Sequence, residues 1–231
     1  MRKSHEQSRI DVYAAVGSHR ARNGARTSAR GDARRKRLLE SARYLLRSAR
    51  LSELSLPAVA KHARVPKGSA YFFYEDIAAL NASLLTVIEE ELHALLLKPL
   101  RRATNQWQDI IAELIDRGST WYSQDAAARQ LIIGVDTPPT LKLRDRASDV
   151  VLGKIFEDHV ASVFKLPEIA GRSALFFRAV EIADLMFCLS MLEHDRVTQT
   201  YGAEAKRAAI AYLESYLPKK LTRLKRKRRK R

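Results

Sequence analysis

From residue 33 onward the apolar positions return every third or fourth residue, the repeat of one helical face. No stretch alternates apolar and polar residues as a half-buried strand would. In "DARRKRLLESARYLLRSA" the face is Leu38, Leu39, Ala42, Leu45 and Leu46, with Asp32 placed to cap the helix. "SLPAVAKHA" turns Leu56, Val59, Ala60 and Ala63 to one side. Ser55 is its expected N-cap, and Pro57 falls in the first turn, where a missing N–H costs nothing. After the break "RVP", "KGSAYFF" predicts a third short helix. Longer helices are expected over about Asp76–Leu97, in "QWQDIIAELIDRGSTWYS", and in "LKLRDRASDVVLGKIFEDHVASVF" with Val150, Val151, Ile155, Val160 and Val163 inside. A further long helix is expected over 168–194, apolar nearly all round, and a last one in "GAEAKRAAIAYLESYL". "AAARQLIIG" is a short piece, and "DTPPT" is a firm breaker. The fold class this predicts is all-α.

Composition narrows the class. The chain has 231 residues, 46% of them apolar, enough to bury a core in one large or two small domains. The single cysteine, Cys188, excludes a disulfide framework within the chain and reads as a small core residue. Arg178, Glu181 and Asp184 interrupt the most apolar helix, so no membrane span is expected, and "VYAAVG" is too short for a signal-peptide core. A cytoplasmic protein is expected.

Charge is unevenly placed. The net charge is +16. Residues 1–37 hold 11 Lys/Arg and 3 acids, residues 218–231 hold 10 Lys/Arg and no acid, and residues 38–217 hold 21 Lys/Arg against 23 acids. The expected organisation is a disordered basic stretch over 1–32, a three-helix domain over 33–80, a helical domain over 81–217 and a basic stretch over 218–231. Basic ends of this kind point to a polyanion, most often nucleic acid, or to solvated ends.

Three short helices, the second and third joined by a three-residue turn, have the plan of a helix-turn-helix, whose last helix presents its leading residues to the major groove. Ala60 and Ala63 let the helices cross closely, and Val65 fills the angle between them. Lys67 is placed to reach a phosphate or a base edge, and Gly68 lets the backbone approach. Ser69 offers a small hydrogen-bonding group, and Ala70 an apolar surface for a thymine methyl.

These residues resemble the DNA-binding domain of TetR-family transcriptional regulators over about 48 positions, "RRKRLLESARYLLRSARLSELSLPAVAKHARVPKGSAYFFYEDIAAL". The resemblance implies a phosphate contact at Ser55. It also implies that Tyr71 and Phe73 lie on the DNA side, while Phe72 and Tyr74 turn inward. The chain departs from the family pattern at four places. Arg64 replaces the turn glycine, Pro66 the N-cap serine, Ile77 a lysine and Pro57 an arginine. Arg34 and Arg35, beside Lys36 and Arg37, are candidates to supply the lost anchors, as is the N-terminal stretch lying in the minor groove.

Residues 81–217 carry 15 Lys/Arg and 19 acids and are not expected to bind DNA. The apolar helix over 168–194 exceeds what one subunit can cover. A homodimer is therefore expected through it and the last helix, with Phe176, Val180, Phe187, Met191, Ala208 and Tyr212 at the interface. The resemblance implies a small-molecule effector of unidentified structure. Trp107, Trp121, Tyr122, Phe156 and Met186 are candidates either for its pocket or for ordinary core. Arg178, Glu181 and Asp184 are candidates to orient a ligand or to pair across the dimer.

The function this implies is a ligand-responsive regulator, by family default a repressor, that binds a palindromic double-stranded operator in the bacterial nucleoid. No cofactor, metal site or membrane partner is expected. The six histidines form no HxxxH or HExxH, and no phosphate-cradling glycine loop or GxSxG occurs, so enzyme chemistry is not expected. The competing reading is a non-specific nucleic-acid-binding or architectural protein driven by its basic ends.

Overall fold

The computed structural model describes residues 29–101 and 104–224. The basic residues 1–28 and 225–231 lie outside the described residues. The helices are α1 (Ala29–Leu45), α2 (Leu56–His62), α3 (Lys67–Phe73), α4 (Ile77–Leu96), α5 (Trp107–Gln124), α6 (Ala126–Ala128), α7 (Pro139–Val163), α8 (Arg172–His194) and α9 (Gln199–Glu214). Arg129–Ile133 continues α6 as a π-helical turn, and Leu51–Glu53 is a 3-10 turn. Two short strands, β1 (Phe164–Lys165) and β2 (Thr222–Arg223), pair antiparallel with Phe164 opposite Arg223 and Lys165 opposite Thr222. The chain forms two compact units. The first takes residues up to Glu90 with Gln124–Ala147, and the second takes Glu91–Ser123 with Ser148 onward.

In the first unit α1 packs on α2, α3 and α6. Leu38, Ala42 and Leu46 of α1, Leu56, Val59 and Ala60 of α2, and Ala70 of α3 make its core, with Val65 and Tyr74 closing it. α1 opens at Ala29, so Asp32 lies in its first turn rather than at its cap. There it still faces the positive end of the helix dipole. Ser55 caps α2, its Oγ accepting from the Ala58 N–H at 3.4 Å, with Pro57 in the first turn.

The α2–α3 turn is a Schellman motif. Val65 N–H donates to Ala60 O at 3.0 Å, and Arg64 N–H donates to Lys61 O at 3.2 Å. It forces Arg64 to φ 52°, the left-handed region that glycine normally fills. Asp125 and Gln130 tie the α6 region to α1. Asp125 pairs with Arg43, Gln130 Nε2 donates to Leu46 O at 2.7 Å and Ala49 O at 2.9 Å, and Gln130 Oε1 accepts from the Leu51 N–H at 2.7 Å.

The second unit is built on α5, α8 and α9, with the far part of α7 and residues 91–96 of α4. Trp107, Ile110, Ile111 and Leu114 of α5 meet Leu152, Ile155, Phe156 and Val160 of α7 and Phe176, Ala179 and Phe187 of α8 in its core. Val150 and Val151, expected inside, are 38% and 45% exposed. The buried stripe of α7 in this unit runs through Asp149, Leu152, Gly153, Phe156, Glu157 and Val160 instead.

Gly153 sets the contact between α7 and α8, because a Cβ there would lie 2.6 Å from Phe177 N and Cα. Glu157 adds a polar tie, accepting from Arg172 Nε at 2.7 Å and Ser173 Oγ at 2.5 Å. Arg117 is 4% exposed and donates to the carbonyls of Lys98 at 2.7 Å and Pro99 at 2.6 Å, just beyond the end of α4. The α8–α9 hairpin closes on Ser190, whose Oγ donates to Arg196 O at 2.7 Å and accepts from the Thr198 N–H at 2.9 Å.

Candidate nucleic-acid interface and effector cavity

α3 is seven residues long, and its geometry follows from one buried methyl. Ala70 is wholly buried against α1 and α2. At 100° per residue, position 74 falls close to the same side and position 72 falls opposite it. The exposures agree. Tyr74 is 4% exposed, Phe72 is 81% exposed and Tyr71 is 45% exposed, while Phe73 lies half-buried on the flank. Burial raises the pKa of the Tyr74 hydroxyl, outweighing the nearby Arg35 charge. Two expectations are thereby corrected. Ala70 cannot meet a thymine methyl, because it is enclosed by its own domain, and Phe72 points outward rather than inward.

The leading end of α3 is open. Lys67 and Gly68 are exposed, and Ser69 is half-buried. Pro66 precedes the helix and gives the first N–H groups of α3 no side-chain cap. A Cβ on Gly68 would meet nothing within 4 Å, so the fold itself does not require glycine there. The Lys67 ammonium sits over the Tyr71 ring, 5.9 Å from its centroid. The Arg35 guanidinium sits over the Phe73 ring at 5.8 Å, which brings the start of α1 beside α3. Arg34 is exposed on α1, and Ser55 is exposed while also serving as the α2 cap. The structure thus brings Arg35, Lys67, Gly68, Tyr71 and Phe73 around one exposed helix. Phe72 is the exposed residue the sequence reasoning missed. Its place on the helical wheel relative to Ala70 was the available signal.

The second unit holds a small cavity of about 40 Å³, partly open to solvent. Its walls are mostly aliphatic and aromatic, with Leu92, Leu96, Leu114, Tyr122, Phe156 and Phe187 among them, and two carboxylates, Asp149 and Asp184, lie in the lining. The Tyr122 hydroxyl is 3.5 Å from Asp184 Oδ1, and its ring packs edge-on against Phe187 at 5.6 Å.

Of the five pocket candidates, Tyr122 and Phe156 line this cavity. Trp107 does not, because its indole is wholly buried at the start of α5 and donates to Pro218 O at 2.9 Å. Trp121 packs against Tyr122, with ring centroids 5.2 Å apart, and Met186 is half-buried on α8; neither is in the lining.

The expected interface residues divide. Phe176, Val180, Phe187 and Met191 are at most 7% exposed and belong to the subunit's own core, so they are not available to a partner. Ala208 and Tyr212 are partly exposed on α9. The outward stripe of α8 is Ile182, Leu185, Cys188, Leu189 and Leu192, with Leu185 54% and Leu192 66% exposed. On α9, Tyr212 packs on Tyr216, which is 48% exposed.

Residues 105–217 match the family described as tetracyclin repressor-like, C-terminal domain. A search of curated proteins finds no match. Among solved structures, the chain is similar to a TetR-family transcriptional regulator from Streptomyces coelicolor. The identity is 21% and the TM-score 0.60, over 80% of this chain and 98% of that one. A TetR transcriptional regulator from Rhodococcus sp. RHA1 is 17% identical at TM-score 0.60, over 81% and 99% of the two chains. NalD, the secondary repressor of the MexAB-OprM multidrug efflux pump in Pseudomonas aeruginosa, is 19% identical at TM-score 0.50, over 82% and 98%.

Proposed function

We propose, from the match of residues 105–217 to the tetracyclin repressor-like C-terminal family and from the fold the chain shares with TetR-family regulators, an effector-controlled repressor that binds a palindromic DNA operator as a homodimer. Its place of action is the cytoplasm, on the nucleoid. The observation that carries this reading is the open leading end of α3, where Lys67, Gly68 and Tyr71 face solvent and Gly68 answers no packing need. Uncapped N–H groups at a helix start favour a phosphate, and a glycine there lets the duplex come close. Two copies would read half-sites about 34–36 Å apart.

Selection of bound sequences from random DNA, followed by footprinting, tests it. The expected result is one palindrome preferred over bulk DNA by roughly 10³-fold or more. Gly68→Ala should keep the melting temperature and lose that preference. Recovery of no symmetric sequence, or an unaffected Gly68→Ala, removes the reading.

The effector is read as small and mostly apolar with a cationic or hydrogen-bond-donating group, because the cavity's polar lining includes Asp149, Asp184 and the Tyr122 hydroxyl. Such a compound should release labelled operator from the parent protein and fail to do so with Asp184→Asn. Release by anionic compounds alone would contradict this chemistry.

A further inference from the structure

Phe72 is 81% exposed, more than any other large apolar side chain among the described residues. Its direction is set by the rest of α3. Ala70, wholly buried, marks the inner side of the helix, and Phe72 falls opposite it. Gly68 lies four positions earlier on the same face, and a Cβ there would meet nothing within 4 Å. Lys67 and Tyr71 form the neighbouring pair, with the ammonium 5.9 Å from the ring centroid. Phe73 meets the Phe72 ring in an edge arrangement, centroids 5.4 Å apart, which steadies that ring without covering it. The outward face of α3 is therefore bare backbone at Gly68 and an open ring at Phe72, with one cation stacked on a phenol beside them.

The chemistry of that face narrows what it can read. Residues 65–74 contain no Asn, Gln, Arg, Asp or Glu. In the major groove adenine is read by Asn or Gln, and cytosine by a carboxylate. Neither recognition is open to α3, and Lys67 is left to offer a donor to guanine. The Phe72 ring has no donor or acceptor. Its match in the groove is the thymine C5-methyl, the one apolar group a base pair presents there. Charge selects a duplex as the occupant of this apolar spot. Residues 61–72 carry Lys61, Arg64 and Lys67, all exposed, and no acid. Arg34 and Arg35 are exposed on α1, with the Arg35 guanidinium 5.8 Å from the Phe73 ring centroid. We propose that Phe72 is a specificity-determining residue of this protein, its ring packing on a thymine methyl in each operator half-site. The inference rests on the reading of the chain as a palindrome-binding dimer, and it adds the base that α3 selects and the group by which it selects it.

The test uses the full chain and the palindrome recovered by selection. Each thymine is replaced in turn, symmetrically in both half-sites, by deoxyuridine, which lacks only the methyl. Burial of one methyl changes affinity about fourfold, so at one symmetric position the parent protein should bind the deoxyuridine operator about 15-fold more weakly. Phe72→Ala should bind the thymine and deoxyuridine operators alike at that position. The quantity read is the ratio of the two dissociation constants, so a general weakening by the variant cancels. Because the ring is 81% exposed, the melting temperature of the variant should not move, and lost discrimination is then not lost fold. A palindrome with no methyl-sensitive position, or a ratio that survives Phe72→Ala, overturns this proposal and leaves the operator reading standing. Recovery of no palindrome removes the operator reading, and this proposal with it.

Discussion

Arg64 holds the α2–α3 turn in a conformation that costs an L-residue about 1–2 kcal/mol. Glycine would remove the strain and return part of the gain through unfolded-chain entropy. Arg64→Gly should therefore stabilise by about 1 kcal/mol, raising the melting temperature by about 2–4 °C in calorimetry. A fall would mean that the arginine side chain contributes more than its strain.

Glu89 carries the opposite kind of cost. It is 8% exposed, its Oε1 has no hydrogen bond among the described residues, and burial pushes its pKa up to about 7 against the partial relief of Arg144. The folded state then holds a proton that the unfolded state releases above its ordinary value near 4.5. Stability should fall as pH rises from about 4.5 through about 7 and level off beyond. Glu89→Gln should remove that decline, seen as a flatter profile in denaturant titrations at a series of pH values. An unaltered profile would clear Glu89 of the effect.

The residue scale also marks where sequence reasoning held. The Ser55 cap and the uncapped Pro66 follow from residue type and position, whereas the left-handed Arg64 follows only from the resemblance, which puts a turn glycine at that place. The outward Phe72 did not, because four consecutive aromatics are equally apolar and only the burial of Ala70 fixes the rotation of the helix.

At the element scale, the α8 pattern was legible as a helix but not as a set of faces. A helix apolar all round carries no moment that tells core from outer surface. The neighbours decide, and they bury Phe176, Val180, Phe187 and Met191 while leaving Leu185 and Leu192 outside. α7 was misassigned at Val150 and Val151 for a related reason. Its true inner stripe contains Asp149, Gly153 and Glu157, which a hydrophobicity count discards. Gly153 lets α7 lie against the α8 backbone. Gly153→Ala should destabilise by about 1–3 kcal/mol in chemical unfolding, because the contact is to backbone that cannot rotate away. A neutral result would show that the two helices can separate without loss.

At the scale of the whole molecule, the all-α plan and the helix-turn-helix were readable because helical period and capping are local properties. The anchoring of residues 218–224 was not, because it depends on Trp107, Gln108 and Phe164, all more than fifty positions away in sequence. The outward stripe of α8 and the Tyr212–Tyr216 pair of α9 are the apolar surface that the proposed homodimer would use. Leu185→Lys should shift the protein to a single subunit in sedimentation and leave its helical circular dichroism intact. A persisting dimer would move the interface elsewhere.

Cys188 lies half-buried on that same stripe, between Leu185 and Leu189, and it is the chain's single thiol. A nitroxide attached to it needs no engineered background. If two copies associate along α8, the two probes must come within dipolar reach of each other, and the distance between them would fix the helix crossing directly.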